Sequence, residues 1–176
     1  QYFIINNAVD SPSISSTGEW IQSKSGADFF KENYWYSAAG NGENQVDFLF
    51  TVPVVDNYNV FAWWPNDNAG TTAATYTIRY ACGASSDVVV NQNVGSSGWY
   101  LLGQFPFDDL AKTYSVSINN DVASGRVFAD AIKVAHPDNP PDVVAADFYA
   151  GTRRGPAPLV VSFDNVSTGD LTGRTW

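Results

Sequence analysis

The run Tyr58-Asn59-Val60-Phe61-Ala62-Trp63-Trp64-Pro65 constrains the fold more than any other stretch of the chain. It sets four large aromatic side chains in one strand-like segment that stops at a proline. A strand sends successive side chains to opposite faces, so two adjacent tryptophans cannot enter the same core. Tyr58, Val60, Ala62 and Trp64 form a set with no obligately polar member and are assigned to the core. Asn59, Phe61 and Trp63 then face outward. Burial of a side chain the size of Trp64 is worth about 2–3 kcal/mol, a large share of what one strand contributes.

Further strand-like segments recur with turn residues between them: 46–52, 75–80, 87–91, 99–107, 113–118 and 126–134. Gly, Pro and Asn punctuate them, and no window keeps a helical period beyond one turn near residues 27–31. Short strands at this spacing predict an all-β, antiparallel β-sandwich. Alternation puts Phe48, Phe50 and Val52 inside and Asp47, Leu49 and Thr51 outside. In the 99–107 segment Trp99, Leu101, Phe105 and Phe107 face in and Tyr100 and Leu102 face out, unless a bulge at Gly103 exchanges part of the set.

Composition agrees with a β protein: aromatic residues make up 15%, charged residues only 15%, and there are 14 glycines among 176 residues. The formal net charge of −9 argues against nucleic acid and against anionic membranes, because neither would release counterions to an acidic surface. No run approaches the ~20 apolar residues of a membrane-spanning helix, so no membrane insertion is expected. The absence of Met and the start at Gln1 fit a mature terminus left by signal-peptide removal. Cys82 has no partner for an internal disulfide and is read as a small packed residue.

Catalytic constellations are missing. His136 is the only histidine and falls in a proline-rich stretch, which leaves no Ser-His-Asp, Cys-His or zinc arrangement. Asp108 and Asp109 point to opposite sides of an extended segment, so no carboxylate pair suits glycoside hydrolysis. The chain is therefore read as non-enzymatic, with no cofactor. Calcium is the one ion the loop oxygens of residues 66–68, 119–121 and 138–139 leave open, although turn geometry explains the same residues. Asp130, between two alanines in an apolar segment, is read as a structural carboxylate served by Arg79 or Arg126.

His136-Pro137-Asp138-Asn139-Pro140-Pro141-Asp142 marks a stiff linker. The expected organisation is a sandwich over 1–135, a linker over 136–144 and an incomplete second β segment over 145–176. Such a remainder is too short to bury a core alone.

Five segments carry a resemblance in the first part: Ser16-Thr17-Gly18-Glu19-Trp20, Phe61-Ala62-Trp63-Trp64-Pro65, Val88-Val89-Val90-Asn91-Gln92, Gly98-Trp99-Tyr100-Leu101-Leu102-Gly103-Gln104-Phe105 and Val127-Phe128-Ala129-Asp130-Ala131-Ile132-Lys133-Val134. In this order, over about residues 8–135, the chain resembles the golvesin C-terminal, xanthan-lyase-type carbohydrate-binding-like domain. That resemblance implies an extracellular, jelly-roll-like β-sandwich appended to secreted enzymes or surface proteins. Ala146-Asp147-Phe148, Gly155-Pro156-Ala157-Pro158 with Leu159-Val160-Val161-Ser162-Phe163, and Ser167-Thr168-Gly169-Asp170 resemble the first half of a polycystic-kidney-disease (PKD) domain.

Three readings of the outward aromatics stay open. They are a protein contact, a glycan platform built from Phe61, Trp63 and Tyr100, and a second core layer covered by the N-terminal segment. With an unfinished second domain, the leading expectation is a structural or adhesive module. It would be secreted to the cell surface and self-associate, or join neighbouring domains, in a filament-like assembly. Leu159, Val161 and Phe163 would pair with another chain. The alternative is a carbohydrate-binding module of a larger secreted protein, with polysaccharide as its partner.

Overall fold

The computed structural model describes residues 2–6, 13–25, 27–96 and 98–137, and the backbone of 148–150 and 163–165. The chain divides into two compact units, Gln1–Pro137 and Asp138–Trp176.

The first unit is an antiparallel β-sandwich. One layer is a four-stranded sheet in the order β1 (Tyr2–Asn6), β12 (Ala131–Ala135), β6 (Asp56–Trp63) and β9 (Tyr100–Phe107). The other is a five-stranded sheet in the order β2 (Ile14–Thr17), β5 (Gln45–Phe50), β10 (Tyr114–Asn119), β7 (Ala74–Arg79) and β8 (Ser85–Val90). A third, three-stranded sheet runs β11 (Arg126–Ala129), β4 (Tyr34–Ala38), β3 (Ile21–Ser23). The 126–134 segment, expected as one strand, thus splits at Asp130: β11 pairs with β4, and β12 pairs with β6 and β1.

Alternation fills the space between the layers. Val46, Phe48 and Phe50 from β5 meet Tyr58, Val60 and Ala62 from β6, and all six belong to one buried cluster with Val116 and Ile118 of β10. Phe107 packs its ring edge-on to Phe50 at 5.2 Å and against Tyr114 at 4.7 Å. Trp64 is 2% exposed, its indole N–H donates to the Val94 carbonyl at 2.8 Å, and its ring contacts Tyr76 and Tyr100.

Strand β9 departs from simple alternation. Val60 pairs with Gly103 and Phe61 with Leu101, so Leu102 is an extra residue and the register slips by one. Gly103 has φ +156°, and the Phe105 ring lies where a Cβ would be, 2.9 Å away. The bulge exchanges the faces upstream of it. Leu102 is buried and Leu101 is half exposed, the reverse of the alternation reading, whereas Phe105 and Phe107 face in as expected. Gly103→Ala is expected to cost about 1–3 kcal/mol, because the new methyl must push the Phe105 ring out of the core. A urea denaturation midpoint unchanged from the parent would refute this.

Residues 27–31 form no helical turn: Asp28 and Lys31 have φ of +63° and +60°, which a helix excludes. Cys82 is exposed rather than packed, in a 3-10 turn over Ala81–Gly83 with φ +55°. Its thiol meets an Asp108 carboxylate oxygen at 3.3 Å, and that contact raises its pKa, so it is a poor thiolate for a different reason than burial. His136 is seated on the sandwich, 3.0 Å from Asp56 and with its ring edge-on to Tyr58.

In the second unit β13 (Phe148–Ala150) pairs antiparallel with β14 (Phe163–Asn165) of the same chain.

Candidate functional site

Cross-strand partners share a face, so the register of the four-stranded sheet writes out its outer surface. One row joins Ile4, Lys133, Phe61 and Leu101; the next joins Tyr2, Ala135, Asn59 and Gln104. Asn6, Ala131 and Trp63 form the third. Trp99, just before β9, completes that row by packing edge-on to Trp63 with centroids 5.3 Å apart. Phe30, from the β3–β4 loop, lies 5.6 Å from Trp63 and 5.1 Å from Trp99. Phe30, Phe61, Trp63 and Trp99 are all only partly buried, while Tyr2 and Leu101 are about half exposed. The Lys133 ammonium sits 4.5 Å from the Phe61 ring centroid and 4.9 Å from that of Trp99. Lys31 approaches Phe30 at 5.4 Å.

The cluster is held in place by hydrogen bonds to its covering loop. Trp63 Nε1 donates to the Asp28 carbonyl, and the Asn66 N–H donates to the Ala27 carbonyl at 2.8 Å. Phe30 is gripped on both sides: its N–H donates to Asp130 Oδ2 at 2.8 Å, and its carbonyl accepts from Asn6 Nδ2 at 3.3 Å. Because the Trp63 indole N–H is already used, the ring offers an apolar surface of fixed orientation.

Asp130 supports this arrangement from below. It is 1% exposed, and its Oδ1 has no hydrogen-bond partner among the described residues. Burial pushes its carboxyl up to about 8, partly offset by the Phe30 N–H. Neither arginine expected beside it serves it: Arg79 donates to Ser117 at 2.8 Å and Arg126 lies over the Tyr36 ring.

The family model described as the Golvesin C-terminal domain matches residues 3–136. The chain belongs to that family. Among solved structures, this golvesin C-terminal domain is similar to a Paenibacillus xanthan lyase with a TM-score of 0.70 and 26% identity. The match covers 76% of this chain and only 13% of the lyase, so the chain spans a small part of that enzyme. It shares its fold with the family 35 carbohydrate-binding module from Clostridium thermocellum, at TM-score 0.53 and 14% identity, over 76% of this chain and 98% of the module. A Podospora anserina GH26-CBM35 β-(1,4)-mannanase gives TM-score 0.55 and 14% identity, over 84% of this chain and 30% of the mannanase. A comparison with curated proteins finds no match.

Of the three contact residues expected from sequence, the golvesin domain brings Phe61 and Trp63 onto one face and leaves Tyr100 off it. Tyr100 pairs with Ala62, and its ring lies 5.2 Å from Trp64, on the face opposite Trp63. The bulge at Leu102 and Gly103 is the cause. Trp99, assigned inward by alternation, takes the place beside Trp63. Phe30 was not anticipated, since it comes from a loop whose approach no local pattern reveals. Of the tail residues, Leu159 and Val161 lie outside the described residues, and Phe163 pairs its backbone with Ala150.

Several of the loop oxygens considered for calcium accept hydrogen bonds from protein groups. Asn120 Oδ1 accepts the N–H groups of Gly42 and Asn44, each at 3.1 Å, and Asp67 Oδ1 accepts that of Ala69. Residues 138–139 lie outside the described residues. No group of three or more acidic, His or Cys side chains that would hold a metal occurs among the described residues.

Proposed function

We propose that this golvesin-type domain is a non-catalytic polysaccharide-binding module of a secreted or cell-surface protein. The observation that carries the reading is the outer face of the four-stranded sheet. There Phe30, Phe61, Trp63 and Trp99 are partly open, Phe30 and Trp63 are held by hydrogen bonds, and the amides of Asn59 and Gln104 border the cluster. Fixed aromatic rings suit the apolar faces of sugar rings, and amides suit their hydroxyls. The names of the structural neighbours support the reading: a carbohydrate-binding module, a mannanase carrying such a module, and a xanthan lyase. No helix of the described residues is long and apolar enough to cross a membrane.

Assembly through the tail, the leading expectation from the sequence, finds no such support, and the described backbone of Phe163 is paired within its own chain. Residues 145–176 are read, on sequence alone, as the opening of a PKD-like module.

The test is affinity electrophoresis in gels containing β-1,4-mannan, xanthan or hydroxyethyl cellulose. At least one polysaccharide is expected to retard the domain. Trp63→Ala and Phe61→Ser, each checked for an unchanged near-ultraviolet spectrum, are expected to weaken binding about tenfold, or about 1.4 kcal/mol. Unretarded migration in all three gels, or equal retardation of parent and variants, would overturn the proposal.

A further inference from the structure

The outer face has two chemically different ends. Along β6 the outward residues are Asn59, Phe61 and Trp63. At the Trp63 end the described surface is dominated by rings with Lys31 and Lys133 beside them, and the Trp63 N–H is occupied by the Asp28 carbonyl. At the Asn59 end the surface turns polar. Gln104 Nε2 donates to Asn59 Oδ1 at 3.3 Å, which leaves Asn59 Nδ2 as a donor and Gln104 Oε1 as an acceptor, side by side on adjacent strands. A hydroxyl both donates and accepts, so two neighbouring sugar hydroxyls match such a pair. Tyr2, about half exposed, ends the same row beyond the small side chain of Ala135. Between the ends, Phe61 and Lys133 keep the strip continuous.

The separation decides what the face can hold. Asn59 and Trp63 are four residues apart on a strand without interruption on its own side, which is about 13 Å at roughly 3.3 Å per residue. One sugar ring cannot reach both ends. Among the described residues the strip runs along the outer side of the sheet, partly exposed from Trp63 to Gln104, a geometry that does not call for a chain terminus.

We propose that the face reads the interior of an extended polysaccharide chain lying lengthwise along β6, with Asn59 and Gln104 as a hydrogen-bonding subsite remote from the Trp63–Trp99 subsite. This rests on the polysaccharide-binding reading and adds the length and orientation of the ligand. Asn59 and Gln104 are specificity-determining residues: they make affinity depend on chain length.

The experiment is calorimetric titration of the intact chain with oligosaccharides of two to eight sugars cut from β-1,4-mannan, xanthan and cellulose, in free and reducing-end-reduced form. Affinity is expected to rise with length until both subsites are covered, then level off, and to ignore reduction of the chain end. The double variant Asn59→Ala/Gln104→Ala is expected to bind the longest oligosaccharide about tenfold more weakly and the disaccharide as the parent does. Trp63→Ala weakens both. The inference is overturned if affinity is the same for all lengths, if reduction of the end abolishes binding, or if the double variant keeps the length dependence. It is equally overturned if polysaccharide retards the domain while no oligosaccharide binds. Failure of every polysaccharide and every oligosaccharide would instead sink the polysaccharide reading itself.

Discussion

Raising the pH from about 4 to about 8 is expected to destabilise the folded protein steadily, and Asp130→Asn is expected to remove most of that slope. The Asp130 carboxyl titrates near 3.8 when free and at about 8 when folded, because burial disfavours its charge. Between those values the folded state holds a proton that the unfolded chain has released, so each rise in pH favours unfolding. Below 3.8 both states are protonated and there is no penalty; above about 8 the penalty is complete. At about 1.4 kcal/mol per pH unit the full span amounts to roughly 6 kcal/mol. Asp56 and Asp108 act in the opposite sense. A backbone N–H of Asn57 and then His136 hold Asp56 low, and the Cys82 thiol and then Tyr114 hold Asp108 low. Their contribution is present above 3.8 and is lost as the pH falls through their lowered values, outside the Asp130 window. Urea midpoints at pH 5 and pH 8 measure the effect. A parent protein equally stable at both, or an Asn variant with the same slope, would refute it.

Gln92→Leu is expected to destabilise the sandwich by about 3 kcal/mol or more. Strand β11 has β4 on one side and, among the described residues, no strand on the other at Phe128. The Gln92 side chain fills that gap: Oε1 accepts the Phe128 N–H at 2.8 Å and Nε2 donates to the Phe128 carbonyl at 2.9 Å. It also reaches the Tyr76 hydroxyl at 3.3 Å. Gln92 is fully buried, so leucine would match much of its volume but strand two backbone groups without water. Each orphaned group costs about 1–3 kcal/mol. Thermal and urea unfolding of the variant would show the loss, and a shift under 1 kcal/mol would mean that the neighbouring chain re-satisfies Phe128 by itself.

How far the sequence spoke follows from how local each signal is. The β6 faces were legible because a half-buried strand writes its burial at every second residue, and the Trp63-Trp64 doublet left one consistent phase. On β9 Gly103 marked where a bulge could exchange the faces, but the wholly apolar run Trp99-Tyr100-Leu101-Leu102 carries no alternation to decide whether it does. Strands β2 and β3 are short and largely exposed, so they carry no apolar rhythm. The break at Asp130 hid in an apolar run because one buried carboxyl looks like a lapse in a strand rather than a passage between sheets. For the candidate site, Phe61 and Trp63 come from one strand and were readable. Phe30 and Trp99 reach them through loop placement, which depends on long-range bonds such as that of the Phe30 N–H to Asp130, a hundred residues away in sequence.

The passage at Asp130 has a consequence for how the domain opens. Residues 126–135 are hydrogen-bonded to β4 before Asp130 and to β1 and β6 after it. Neither sheet can peel away without pulling the same segment out of the other. The two sheets are therefore expected to open as a single cooperative unit, with amides in β11 and β12 exchanging with solvent through a common opening rather than as independent patches.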